Sequence, residues 1–289
     1  MKRAFLIATA PLLAMLAAPA LAKKDPKFVE SDSIGDKPAV ALDPAQGHIL
    51  LRSPNQRALY LMKMPSAEDQ ATYDALKAEA FADARKKYEK KLASYEAAVK
   101  QRAAGTAQVS VPDKPVEPTE AGFEFTPFGL LASVAIGPLY RFAKGDGGAS
   151  TYLHAATPGR YRIYGPISAA GNGAMIGACY CLGSVSFEVK AGEVTDISAL
   201  AMLPAEETPD GVPQVAGKMK DGAVLPPVDP RLASATVTPA RFSPVGKSPN
   251  YFGLAITRMP AVPGVMRYDR DRVVDLTGGA GAAVAMGGQ

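Results

Sequence analysis

Between Ser66 and Ala104 the chain contains neither glycine nor proline, and alanine, glutamate, lysine and arginine dominate. These are strong helix formers, so the stretch reads as one continuous helix. Ser66 supplies a hydroxyl N-cap, Glu68 and Asp69 place acidic groups in the first turn, and Gly105 stands where a C-terminal glycine stop belongs. At about 1.5 Å per residue such a helix is roughly 55 Å long, more than the core of a small sandwich can enclose. Whatever else the chain builds must therefore accommodate a rod.

The rod's large residues, Tyr73, Leu76, Phe81, Tyr88, Leu92, Tyr95 and Val99, recur mostly at intervals of three, four or seven. They form a narrow apolar stripe on an otherwise charged surface. Ala84 and Ala98 on the same side raise helix propensity and would also permit close approach. The stripe has two readings: it lies against the protein's own β domain or a neighbouring copy, or it is a docking arm for another envelope protein.

On either side the pattern is that of short strands. Ala39–Leu42, His48–Arg52 and Leu59–Met62 are apolar runs separated by the turn clusters "DPAQG" and "SPNQ". After the helix, "TAQVSVPDKPVEPTE" carries three prolines and reads as an extended linker back to the sheet. Further strands are expected at Leu131–Ile136, Tyr140–Ala143, Thr151–Ala155, Gly159–Tyr164, Gly183–Lys190 and Glu193–Leu200, with "KGDGG" and "KAGE" as tight turns. In "GSVSFEV" Val185, Phe187 and Val189 share one face and Ser184, Ser186 and Glu188 the other, so one face is expected buried and one wet. Tyr161 and Ile163 oppose Arg160 and Arg162 in the same way, before Tyr164 breaks the alternation. Proline-rich sequence follows, in which "TVTPARF" offers an edge strand, and two last candidates are Leu254–Arg258 and Arg272–Leu276. The expected fold is mainly β, an antiparallel β-sandwich with a long α-helical insertion.

The N-terminus "MKRAFLIATAPLLAMLAAPALA" has a basic start, a short apolar run and a small-x-small end at Ala20 and Ala22. That is the layout of a secretory signal peptide, cut between Ala22 and Lys23. Pro11 and Pro19 interrupt the run, which falls short of the roughly 20 apolar residues a span needs. No later segment qualifies, so no transmembrane segment is expected after cleavage, and the protein is expected in the periplasm or outside the cell. The expected organisation is a leader over 1–22, a first part of the β domain over 23–65, the helix over 66–104, the linker over 105–121, the second part over 122–203, a proline-rich segment with edge strands over 204–276, and a disordered glycine and alanine tail over 277–289. Loss of Lys2 and Arg3 lowers the formal charge of +4 by two, a near-neutral balance that gives no electrostatic case for nucleic acid or for strong binding to an anionic membrane.

The stretch "TPGRYRIYGPI … CLGSVSFEVKAGEVTDI" resembles small bacterial envelope domains and, more distantly, carboxypeptidase-regulatory-like β-sandwiches. The matching residues are Pro158, Gly159, Tyr161, Ile163, Val185, Phe187, Ala191 and Gly192, within Thr157 to Ile197. The chain also resembles uncharacterised secreted proteins of alphaproteobacterial type. Such domains are usually non-catalytic, and that is what the resemblance implies.

Two cysteines, Cys179 and Cys181, stand at i and i+2, where a strand would point both to one face. They read as a structural disulfide, as buried or free thiols, as a redox-active pair, or, with two sulfurs falling short of the usual four ligands, as a metal site. An activating helix N-terminus or basic partner for redox chemistry does not show in the flanking residues. His48 and His154 lie far apart and without ligand-spaced neighbours, so no metal site is expected, and both read as solvated or core-edge strand residues. Asp269, Asp271 and Asp275 lack the glycine and terminal glutamate of a calcium loop and read as ion-pair partners of Arg267, Arg270 and Arg272. No Gly-x-Ser-x-Gly elbow or phosphate-binding loop occurs, and no cofactor is expected. The sequence thus points to a non-catalytic periplasmic or secreted structural or interaction protein. A thiol-disulfide protein using the cysteine pair and a small-ligand-binding sandwich are the alternatives. The expected partner is an envelope protein or a second copy, reached through the helix.

Overall fold

The computed structural model describes residues 27–105, 110–203 and 222–278. The expected leader over 1–22, the proline-rich stretch at 204–221 and the tail from residue 279 lie outside these residues. In chain order the elements are β1 (Ser31–Ile34), β2 (Gly47–Ser53), β3 (Leu59–Lys63), α1 (Ala67–Ala103), α2 (Phe128–Leu131), β4 (Ser133–Ile136), β5 (Ala143–Lys144), β6 (Ser150–Ala156), β7 (Gly159–Gly165), β8 (Ile167–Ala169), β9 (Met175–Cys179), β10 (Ser184–Val189), β11 (Val194–Asp196), β12 (Val237–Pro239), β13 (Ser243–Val245), β14 (Ala255–Ile256), β15 (Met266–Asp269) and β16 (Arg272–Asp275).

Two sheets make the sandwich. One has the order β1-β6-β2-β11-β12, with β5 added on β6; the other has the order β13-β10-β7-β3-β4. Ile49, Leu51 and Tyr152 from the first meet Leu61, Val134, Tyr161, Ile163, Val185 and Phe187 from the second in the principal core. These are the alternate positions of their strands, as a two-layer fold requires. The mainly antiparallel sandwich with its long helix is therefore the expected fold.

The helix enters by an unusual door. β3 and β4 are neighbours in one sheet, paired from Leu59↔Ile136 to Met62↔Ser133, and the Lys63 N–H donates to the Ala132 carbonyl at 2.7 Å. Everything from Met64 to Leu131 is thus an excursion between two paired strands. The sheet closes beneath it as though a short turn were there.

Other expectations need correction. Ala39–Leu42 forms no strand; Val40 and Leu42 instead cover the outer face of the first sheet, packing with Leu50, Phe142, Leu153, Val194 and Leu232. "KAGE" is a tight turn, with Gly192 at φ +73° and the Glu193 N–H donating to the Lys190 carbonyl at 3.3 Å, but β10 and β11 do not pair. The turn is an arch that carries the chain from one sheet to the other, where β11 runs parallel to both β2 and β12. The polar face of β10 is not wet throughout: Ser184 and Ser186 are buried, and Ser186 donates to the Ser243 carbonyl while accepting from Arg160 Nε. Hydrogen bonds let small hydroxyls go where alternation assigns solvent. Tyr140–Ala143 keeps only Ala143 in a strand, and Glu193–Leu200 turns into a short 3-10 helix from Ser198. "TVTPARF" does give the edge strand β12. A hairpin of β8 and β9, joined by "GNG", and strand β15 had no sequence signal strong enough to find them.

Candidate functional site

The excursion is a helical arm. Its N-terminus carries a capping box: Ser66 Oγ accepts from the Asp69 N–H at 3.0 Å, and Asp69 Oδ2 accepts from the Ser66 N–H at 2.9 Å. The same Oδ2 accepts from Lys63 Nζ at 2.6 Å, with Lys63 almost buried on β3. Burial pushes the Asp69 carboxyl up, but the hydrogen bonds from Lys63 and Ser66 outweigh it and hold the group below its ordinary value. One carboxylate therefore ends the helix and ties it to the sheet. At the far end Ala104 closes the last turn on Lys100, and Gly105 follows at φ +68°.

Four aromatic rings brace the base. Tyr73 lies 5.4 Å from Phe125 and 5.9 Å from Phe128, Phe28 lies 4.8 Å from Phe128, and the Tyr73 hydroxyl donates to the Thr126 carbonyl at 3.1 Å. Higher up, Phe81 meets Phe123 at 5.3 Å. The returning segment thus runs back along the stripe. It is more than a linker, for Val111, Pro115 and Pro118 are half-buried in a segment without helix or strand. A three-residue spacing repeats on one side of an extended proline-rich chain at three residues per turn, as with Pro115 and Pro118. The sequence signal that could have found this partner strip is "FEFTPF", whose Phe123 and Phe125 alternate onto one side.

The stripe residues Tyr73, Leu76, Phe81, Tyr88, Leu92 and Tyr95 are all half-buried, Val99 is 39% exposed, and no residue of α1 is buried. Among the described residues no strand packs along the helix. The arm's stability comes from the return segment and its caps, and its outer faces remain open to solvent. Val116, near the tip, is 89% exposed.

The cysteine pair lies elsewhere, behind the second sheet. Cys179 ends β9, and a disulfide joins it to Cys181 with the Cα atoms 5.4 Å apart. Both residues are buried, against Met62, Tyr164 and Ile167, with Tyr60, Tyr251 and Phe252 completing an aromatic wall. Of the four readings left open by the residues alone, the structure shows the bridge. Both cysteines are enclosed, and the bridge packs among apolar and aromatic side chains. A bridge spanning three residues also restrains the unfolded chain little. The bridge stands at the end of β9, before the chain enters β10.

His48 and His154 are buried in β2 and β6 rather than solvated, and face opposite sides of the first sheet, because His154 is paired with Ile49 and His48 with Ala155. Burial pushes the His154 imidazole down to about 4 against the pull of Asp32, and lowers His48 against the pull of the Glu193 backbone and Asp43. Arg231 forks onto Asp229 at 2.8 and 2.9 Å, reaches Asp36 at 2.7 Å and lies 4.2 Å above the Phe142 ring, stapling three loops together. Asp271 pairs with Arg258 at 2.6 Å rather than with the arginines beside it in sequence, and among the described residues Asp269 and Asp275 make no such ion pair. Asp275 instead accepts from the Thr277 N–H and hydroxyl. Among the described residues no three His, Cys, Asp or Glu side chains gather as metal ligands, and no helix is long and apolar enough to cross a membrane. A cleft of about 470 Å³ opens beside the arch, between β10 and β12, lined by Arg160, Lys190 and Arg241 against Glu188 and Glu193. Its charges are of both signs, and Phe187, Pro239 and Ala240 add apolar surface to the lining.

No protein-family model, curated protein or solved structure matches this chain.

Proposed function

We propose that the protein is a non-catalytic structural or interaction protein of the cell envelope, exported by its N-terminal leader, whose sandwich serves as a mount for the helical arm. The observation that carries this reading is the arm's construction: a long helix with no buried residue, spliced between two paired strands and braced along one side by its own return segment. Ordering so long an excursion costs conformational entropy, and no residue of the helix is buried in the sandwich to offset it. The benefit must lie in what the arm reaches. The likeness of Thr157–Ile197 to usually non-catalytic sandwich domains supports the same reading. The burial of the bridge gives the thiol-disulfide alternative less support than the arm gives this reading, and the mixed-charge cleft of about 470 Å³ points to no particular ligand.

The test uses a photocrosslinking residue placed in the intact protein in its native cells, either on the arm at Val99 or Val116 or on the sandwich at Lys144 or Glu188. Adducts to a partner or a second copy are expected from the arm positions, in a fraction where the chain begins at Lys23. Adducts confined to the sandwich positions would overturn the reading, as would a cytoplasmic chain that keeps its leader.

A further inference from the structure

The chain as a whole is close to neutral, but the arm separates its charges. From Ala84 to Ala103 there are seven basic residues, Arg85, Lys86, Lys87, Lys90, Lys91, Lys100 and Arg102, against two acids, Glu89 and Glu96. The returning segment has the opposite bias, with Asp113, Glu117 and Glu120 against Lys114 over 110–122. At 3.6 residues per turn, Lys86 and Lys90 stand opposite Tyr88 and Leu92, the side the return segment covers, and Lys87 and Lys91 occupy the adjoining flank. All four lysines are exposed. Asp83 reaches Lys86 at 3.6 Å from the turn below, an exposed contact that neutralises little.

This arrangement works against the helix. Lys86 with Lys90 and Lys87 with Lys91 are like-charge pairs at i, i+4, which weaken a helix where Glu–Lys pairs at the same spacing would strengthen it. The contact from Asp83 and the carboxylate of Glu89, three residues beyond Lys86, offset part of this, and all four lysines remain exposed. The proximal half carries the opposite sign, with Glu68, Asp69, Asp74, Glu79 and Asp83 against Lys77, so the rod's cations are concentrated in its distal half.

We infer that the outward lysine face of the distal arm, Lys86, Lys87, Lys90 and Lys91, is a peripheral docking surface for an anionic phospholipid bilayer. The inference rests on the arm being the working part of the protein and adds which face it uses and what chemistry it meets. Charge complementarity selects an anionic occupant. The use of lysine selects a surface over a shaped site, because ammonium groups act as mobile point charges, whereas fixed carboxylates or phosphates in a pocket favour the bidentate fork of arginine. The face carries no large apolar side chain between Lys86 and Lys91 apart from the covered Tyr88, so the arm rests on the headgroups without inserting. Each lysine close to such a surface strengthens binding roughly fivefold, so the four together suffice for reversible, salt-sensitive attachment.

The experiment is flotation of the leader-free protein with vesicles of phosphatidylcholine alone or mixed with phosphatidylglycerol, beside a short DNA duplex as a competing polyanion. Binding is expected only to the phosphatidylglycerol vesicles, falling by more than about a hundredfold in the K86Q/K87Q/K90Q/K91Q variant and disappearing at raised salt. The variant keeps its helix by circular dichroism, since the four side chains pack against nothing. A K86R/K87R/K90R/K91R variant should bind as the native chain does. The inference is overturned if the native protein does not float with anionic vesicles, if the glutamine variant floats equally well, or if the duplex is preferred over the vesicles. Failure here with arm adducts still forming in cells would leave the arm as an interaction device and remove only the lipid. Loss of the adducts would remove the reading beneath it.

Discussion

Gly177 sits in β9 at φ +123°, and a Cβ there would stand 2.1 Å from the Pro166 carbonyl oxygen; at Gly165, at the end of β7, it would stand 2.3 Å from the Ala178 carbonyl oxygen. Two backbones therefore cross at a distance only glycine permits, and the crossing sets where Cys179 and its bridge fall. Gly177→Ala must both strain φ and push a carbonyl aside, an expected loss of about 3 kcal/mol in unfolding free energy. Urea denaturation would measure it, and a loss under roughly 0.5 kcal/mol, the size of an ordinary surface change, would show that the two backbones are not in close contact at this crossing. The cysteines were legible as a same-face pair, but the glycines that aim them were not. In "GNGAMIGA" a glycine needed for close approach looks the same as a glycine in a turn, because the contact partner is twelve or so residues away along the chain.

Among the elements, the helix was the most legible, and for a physical reason. Propensity, capping and the glycine stop are all local, so Ser66 and Gly105 mark its ends within a residue. What holds it in place is not local. Lys63 lies on β3 and reads in sequence as a strand-end cation, yet it supplies the second half of the helix anchor. Removing the cap hydroxyl alone, in Ser66→Ala, should cost about 1 kcal/mol. Asp69→Ala removes the reciprocal cap and also leaves Lys63 nearly buried without its carboxylate, so about 3 kcal/mol is expected. Equal losses for the two variants in chemical denaturation would mean that the Lys63 pair contributes nothing and that the arm is anchored by its aromatic base alone. The same distinction between local and distant partners explains the stripe. Its periodicity was plain, but its cover is a proline-rich strip whose phenylalanines lie up to about fifty residues further on, and the spacing of Phe123 and Phe125 does not name Phe81 and Tyr73 as their partners.

Across the whole molecule the sandwich followed from alternation, while its wiring did not. "KAGE" joins Val189 to Val194 through the same short turn whether the strands pair or part, and only the partners of β11, namely His48–Leu50 and Val237–Pro239, decide that it is an arch. β11 closes one side of β2, which carries His48, while β6, which carries His154, is already interior between β1 and β2; with both faces of the sheet covered, the two histidines the sequence placed at an edge are buried. That burial makes stability depend on pH. His154 takes up a proton near 6.5 in the unfolded chain but only near about 4 in the fold, where Ser33 and Ile49 flank it across the sheet and Asp32 gives the one nearby attraction. Above 6.5 neither state is protonated and the residue is neutral in the balance. Between the two values the unfolded chain alone gains the proton, so stability falls with falling pH, by about 1.36 kcal/mol per unit and on the order of 3 kcal/mol by pH 4. His48, also lowered by burial, adds in the same direction, and so does Asp69, whose depressed carboxyl loses its Lys63 partner as it protonates at still lower pH. Urea midpoints of the native chain and of His154→Gln at pH 7, 5.5 and 4 separate these contributions. The native chain should lose more between pH 7 and 4 than the variant does, by on the order of 3 kcal/mol. Parallel pH slopes for the two would show that water or a carbonyl already reaches the imidazole, and that the first sheet is more open at β6 than its packing shows.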